Sequence, residues 1–169
     1  MDIEKLIKEI IPPSDYRHRN GFNNSPIIDS LTSEEKGQVE AELIYMLQYE
    51  TGNNPDTLIV ETLAYLKSPK SLSALKNLLE NAYDDMTILK IASSIFEISG
   101  ENDMVNIAIS SVKKMDNHKD PYYVYKLTTA FYYLVRFKNP EIDEIIKSYV
   151  NHKEYLVSYN AKRALDCPT

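Results

Sequence analysis

The chain has 169 residues, 43% of them apolar and 26% charged, with a formal net charge of −6. That length makes one domain, residues 1–169, able to bury roughly 70% of the surface its unfolded chain exposes, and the composition excludes a disordered chain. An acidic balance argues against wrapping nucleic acid, which needs a basic stripe to displace counterions.

Gly occurs only four times, runs of period two are absent, and the spacing of apolar residues predicts helices throughout. Asp2, Glu4 and Glu9 make a secretory leader unexpected, and no apolar stretch approaches the roughly 20 residues that cross a bilayer. The expected compartment is the cytoplasm. Ile3, Leu6, Ile7 and Ile10 form a helical stripe that Pro12-Pro13 ends. Residues 12–31 then read as a long connection, in which Tyr16-Arg17-His18-Arg19-Asn20-Gly21-Phe22 gathers basic, aromatic and amide groups. Connections of that length are functional or packed on themselves. Three readings stand: an ordered cap in which Phe22, Ile27 and Ile28 plug the end of the helical array, a partner contact, or an RNA contact. Thr32-Ser33-Glu34-Glu35 is a capping box that opens a helix from about Ser33 to Glu50, with Val39, Leu43, Met46 and Leu47 inward. Residues 1–53 thus make an N-terminal helical cap.

Seven more helices follow: Pro55–Lys67, Pro69–Ala82, Asp85–Ile98, Glu101–Met115, Pro121–Phe137, Pro140–Asn151 and about Glu154 to Leu165. Asn54-Pro55, Ser68-Pro69, Asp120-Pro121 and Asn139-Pro140 each set a side-chain acceptor at N-cap before a proline at N1, where the missing N–H costs nothing. Connections of two to six residues make neighbouring helices antiparallel. Ser68-Pro69 and Asn139-Pro140 lie 71 residues apart (140 − 69), two units of about 35, with Ser99-Gly100-Glu101 taking the same role between them. The expected core includes Leu63, Leu75, Leu78, Ile95, Ile107, Phe131, Leu134 and Ile146.

Charge is unevenly placed. Residues 1–116 carry 19 acidic and 11 basic side chains, and residues 117–169 carry 6 and 8. Glu34, Glu35, Asp84, Asp85, Glu101 and Asp103 fall in predicted first helical turns, where complementing the helix dipole explains them; on one edge they would also form a negative ridge facing a basic partner. Tyrosine is over-represented, 13 against 4 Phe and no Trp. Tyr122, Tyr125, Tyr132 and Tyr133 lie off the stripe Val124, Leu127, Phe131, Leu134. They read either as packed rings with surface hydroxyls or as interface anchors.

His18, His118 and His152 show no metal-ligand spacing. Cys167 is the only cysteine, which excludes an intramolecular disulfide, and no nucleophile frame or phosphate loop occurs. Neither cofactor, metal nor enzymatic activity is expected.

The stretch Val60-Glu-Thr-Leu-Ala-Tyr-Leu-Lys-Ser-Pro-Lys-Ser-Leu-Ser-Ala-Leu-Lys-Asn-Leu-Leu resembles the HEAT repeat, an Ala/Leu-rich helix, a short turn and a second Leu-rich helix. Lys90–Val112 and Thr128–Val150 repeat it more loosely, and Ala161-Lys-Arg-Ala-Leu-Asp resembles the opening of a fourth unit. The likeness covers residues 55–169 and departs from the pattern in lacking a regular Asp-x-Asp-x-x-Val-Arg stretch. It implies an all-α fold, a short right-handed α-solenoid of helix pairs. In size, charge, repeat type and divergent N-terminal cap the chain resembles bacterial immunity proteins of contact-dependent growth inhibition and related polymorphic toxin systems. That resemblance implies a monomer binding the C-terminal domain of a toxin, often a basic nuclease. A general HEAT-type scaffold, and a HEAT-like nucleic-acid repair protein or lyase, remain as alternatives.

Overall fold

The structure is a computed structural model that describes residues 2–50 and 54–166. Among the described residues it is all-helical, with no strand. Eleven α-helices run α1 (Ile3–Ile10), α2 (Tyr16–Arg19), α3 (Ser25–Asp29), α4 (Ser33–Leu47), α5 (Thr57–Tyr65), α6 (Leu72–Glu80), α7 (Asp85–Ser99), α8 (Asp103–Met115), α9 (Tyr123–Leu134), α10 (Pro140–Ser148) and α11 (Tyr155–Asp166). No helix is long and apolar enough to cross a membrane.

Packing follows a regular alternation. Helices α5, α7, α9 and α11 pack on one another in that order, while α6 and α8 pack against α7 and α10 against α11. Further contacts join α4 to α6 and α8 to α10. One hydrophobic core runs through all of them, from Ile10 and Val39 to Val157 and Ala161. Seven of the eight expected core residues are buried; Ile107 is half-buried, at the margin of the α8 face. Helix α7 sits at the centre, with Leu89, Ile91, Ala92, Ser93, Ser94 and Ile95 all buried, so more than one of its faces is covered.

The caps show which local signals hold. Thr32 and Glu35 make the reciprocal capping box, and Asn139 accepts from the Glu141 amide at 2.8 Å with Pro140 at N1. At the other three Pro sites the start is displaced. Asp56, not Asn54, caps α5: its carboxylate accepts from the Leu58 amide while Pro55 is buried. Pro69 opens a 3-10 turn, Pro69–Ser71, without a side-chain cap from Ser68. Asp120 binds the Tyr122 amide at 2.8 Å, an Asx-type turn ahead of a helix that begins at Tyr123. At Pro55 a stronger acceptor and a buried ring account for the shift; at Pro69 and Pro121 the first turn is a 3-10 or Asx-type turn and the α-helix starts two or three residues later. Downstream, the chain leaves α5, α7 and the turn after α9 through left-handed residues, Lys67 (φ 53°), Gly100 (φ 70°) and Lys138 (φ 44°). The same exit thus recurs in three successive pairs, although only one of the three is glycine.

The segment between α1 and α4 is ordered by specific bonds. The Arg19 guanidinium donates to Pro12 O at 2.7 Å and makes a two-point pair with Asp56 at 3.1 and 2.7 Å. Asn24, buried, donates to Ile10 O at 3.2 Å and to Thr62 Oγ1 at 2.7 Å. Ile28 is buried, and Ile27 packs against the core. Phe22 is only half-buried and lines a cleft instead.

Candidate functional site

Three helices build the most particular polar surface. On α7, Lys90, Ser94 and Glu97 share one face by helical spacing, and Ser94 leaves room above it. Tyr133 of α9 and Arg136 of the 3-10 turn Val135–Phe137 that follows it reach over that face towards α5. The Tyr133 hydroxyl donates to Glu61 Oε1 at 3.0 Å. Arg136 lies between two carboxylates, 3.5 Å from Glu61 Oε2 and 3.8 Å from Glu97 Oε1. Its guanidinium also covers the rings of Tyr132 and Tyr133, at 4.7 and 4.9 Å. Lys90 Nζ stands 5.4 Å from the Tyr133 ring.

The electrostatics follow from this geometry. Burial, and then the Glu61 charge, push the Tyr133 hydroxyl well above the ordinary tyrosine range. Burial opposes the charged form of Arg136, but Glu97, Tyr132 and Glu61 outweigh it and raise its pKa. Both shifts carry Tyr133 and Arg136 away from neutral pH, so these two groups are held as fixed donors within an ion cluster. Beside it opens a cleft of about 480 Å³, lined by Phe22, Leu58, Tyr65 and Tyr132 together with Glu61, Glu97 and Arg136. Tyr65 at its rim donates to Asp29 at 2.8 Å.

The expected acidic residues separate into two groups. Helices α7 and α8 are joined by three residues and pack along each other, so they run antiparallel. Asp84 and Asp85 begin α7, whereas Glu101 and Asp103 follow its end, about 22 Å away for a helix of 15 residues. These two pairs therefore do not share one edge. Most of the carboxylates also have partners inside the chain. Glu35 Oε2 accepts from the Thr32 amide and hydroxyl, each at 2.8 Å, and its pKa is lowered by those bonds. Asp84 caps α7 through the Thr87 amide at 2.9 Å. Asp85 is 3.7 Å from Lys114 Nζ, and Glu101 is 2.8 Å from Lys76 Nζ, which lowers its pKa. Glu34 and Asp103 are exposed and take no side-chain partner among the described residues.

The tyrosines divide between exposed and packed positions. Tyr122, Tyr125 and Tyr132 are exposed, the last two at 70% and 61%. A separation of seven residues puts Tyr125 and Tyr132 on the same line of α9, about 10 Å apart. Tyr133 is buried, because the face of α9 that meets α5 across α7 is wider than a single stripe.

Sequence reasoning missed Glu61, Tyr65, Glu97 and Arg136. A signal existed: positions 61, 97 and 133 are equally spaced, 36 residues apart (97 − 61 and 133 − 97), and fall on α5, α7 and α9, which pack in that order. The histidines are less scattered than their spacing suggested. His118 and His152 stack with ring centroids 6.0 Å apart and converge with Asp116, while His18 is held by Asp15 at 2.7 Å. Cys167 lies outside the described residues. No protein-family model, no curated protein and no solved structure matches this chain.

Proposed function

We propose that this protein is an inhibitor of the immunity type, which binds the basic C-terminal domain of a secreted or surface toxin and neutralises it by direct contact. One observation carries the reading: two exposed tyrosines, Tyr65 and Tyr132, line the cleft beside the Glu61–Arg136–Glu97 cluster, and Tyr125 extends their exposed face along α9. Tyrosine supplies large contact area at small cost in rotamer entropy. A pre-formed ion cluster holds Tyr132 in place before the partner arrives, which lowers the cost of binding. The net charge of −6 favours encounter with a basic domain.

The same reading includes the architecture. The 36-residue recurrence and the alternate packing of helices support HEAT-like pairs in a short right-handed α-solenoid, with residues 1–53 as its divergent cap. The protein acts as a cytoplasmic monomer until the complex forms, needs no cofactor and catalyses nothing.

The test is co-expression with the C-terminal domain of a large toxin encoded directly upstream, followed by surface plasmon resonance at two salt concentrations. Suppressing a lethal activity asks for nanomolar affinity, about −12 kcal/mol. Tyr125→Ala or Tyr132→Ala should speed dissociation. Glu34→Lys with Asp103→Lys should slow association at low salt, because those carboxylates make no hydrogen bond or ion pair within the chain among the described residues. Asp84→Lys with Asp85→Lys is a poorer probe, since losing the Asp84 cap costs about 1 kcal/mol of stability in itself. Absence of any complex with the adjacent toxin sinks the proposal, and unchanged association in the Glu34/Asp103 variant removes electrostatic steering from it.

A further inference from the structure

Asp116, His118 and His152 are brought together from two connections that neither adjoin in sequence nor take part in the tyrosine cleft. Asp116 caps the C-terminus of α8 and His118 follows in the turn to α9. His152 lies beyond the end of α10, its amide donating to Tyr149 O at 3.0 Å. One ligand atom from each of the three residues lies within 4.8 Å of the other two. Asp116 Oδ1 is buried and accepts no hydrogen bond. The one basic side chain within ion-pair distance of it among the described residues is His118, whose Nε2 is 3.9 Å away. The Tyr149 hydroxyl also faces this carboxylate, yet no donor comes within hydrogen-bond distance of Oδ1, and a buried carboxylate oxygen so placed is costly.

We propose that Asp116, His118 and His152 form a binding site for a divalent transition-metal ion of the zinc class. Two imidazoles and one carboxylate suit a borderline ion, and three protein ligands leave a fourth position to water. Magnesium and calcium fit poorly, since both ask for six or more oxygen ligands. Tetrahedral coordination at about 2.0–2.2 Å sets ligand atoms about 3.4 Å apart. The observed separations therefore close by no more than about 1.5 Å, a movement that side-chain rotation of the half-exposed His118 supplies. The carbonyl ends of α8 and α10 add partial negative charge that favours a cation.

The surrounding groups bear on both histidines. Tyr123 stands edge-on to His118 at 4.7 Å between ring centroids, and Tyr149 lies 6.0 Å from His152, so aromatic rings wall the inner side. The Tyr123 hydroxyl is itself held by Glu154 at 3.0 Å. At His152, Nδ1 accepts from the Glu154 amide at 3.1 Å. A metal ion at Nδ1 displaces this amide, one of the first-turn donors of α11 that water satisfies. The bound ion ties the α8–α9 connection to the α10–α11 connection and clamps two successive helix pairs.

The probe is Zn²⁺ alone, by isothermal titration of the full chain carrying Cys167→Ser so that the thiol supplies no ligand. One ion per chain is expected, with affinity falling as pH drops and the imidazoles protonate. His118→Gln and His152→Gln should each weaken binding by at least about tenfold, while His18→Gln leaves it unchanged. His118 is exposed, so its variant folds even if the His152 variant does not, and thermal melts without metal report which is the case. Absence of stoichiometric binding overturns the proposal, as does binding that His118→Gln leaves intact.

Discussion

The Tyr133 hydroxyl of α9 donates to Glu61 of α5 at 3.0 Å across 72 residues of chain, bridging two helices that flank α7. Both groups depend on the bond, because Tyr133 is buried and Glu61 is shared with Arg136. Tyr133→Phe should therefore lower stability by about 1.5–3 kcal/mol, the range for a hydrogen bond to a charged group. Glu61→Ala should cost more, since it strips a partner from Arg136 as well. Urea unfolding of the two variants checks the order.

The same tyrosine sets a limit at alkaline pH. Burial, with Glu61 next, raises the Tyr133 pKa above its ordinary 10.0, and burial followed by Asp116 raises that of Tyr149. Above pH 10 the unfolded chain loses these phenolic protons while the folded chain keeps them, so the folded state binds more protons and stability falls as pH rises. Below pH 10 the contribution is complete and flat. Unfolding midpoints between pH 9 and pH 11 should decline, and Tyr133→Phe should flatten the decline. An equal slope in the variant rules out Tyr133 as its source.

Lys138 holds a left-handed backbone conformation at φ 44°, which costs an L-residue about 1–2 kcal/mol. Glycine adopts it freely, at some expense in unfolded-state entropy. Lys138→Gly should stabilise by about 0.5–1 kcal/mol and raise the melting temperature by about 1–4 °C for a chain of this size. Lys67→Gly should gain less, because Lys67 Nζ also donates to Glu97 O at 2.9 Å. Differential scanning calorimetry of both variants tests the ranking.

Leu75 and Phe131 are almost wholly buried. Truncating either to alanine should destabilise by about 2–5 kcal/mol through the transfer and cavity terms. Denaturant melts give the measure, and losses below about 1 kcal/mol would mean that the core collapses around the gap.

How much of this was legible depends on how local each signal is. The capping box at Thr32 and the Asn139-Pro140 start are written within four residues, and both stand as read. Pro55 misled because the acceptor that closes the turn, Asp56, is held by Arg19, 37 residues away, whereas Asp120 accepts as read and only the helix start moves on to Tyr123. Tyr133 was taken as lying off the core stripe because a single stripe describes a helix with one covered face, and α9 has more. The carboxylates of Asp84 and Glu101 looked alike in sequence, and only the reversal of direction between α7 and α8 separates them. His118 and His152 are 34 residues apart (152 − 118), so they meet only because the α8–α9 and α10–α11 connections fall at the same end of neighbouring helix pairs.

Helix α7 touches α5, α6, α8 and α9, and the 3-10 turn Val135–Phe137 as well. In a long array each unit leans only on its neighbours, and the ends can melt while the middle survives. Here the middle helix packs against five other elements, so neither the α5–α6 pair nor helix α8 keeps a complete core once it is gone. Its amides should exchange with solvent only through opening of the whole molecule, and splitting the chain at Gly100 should leave two fragments that gain structure only when mixed.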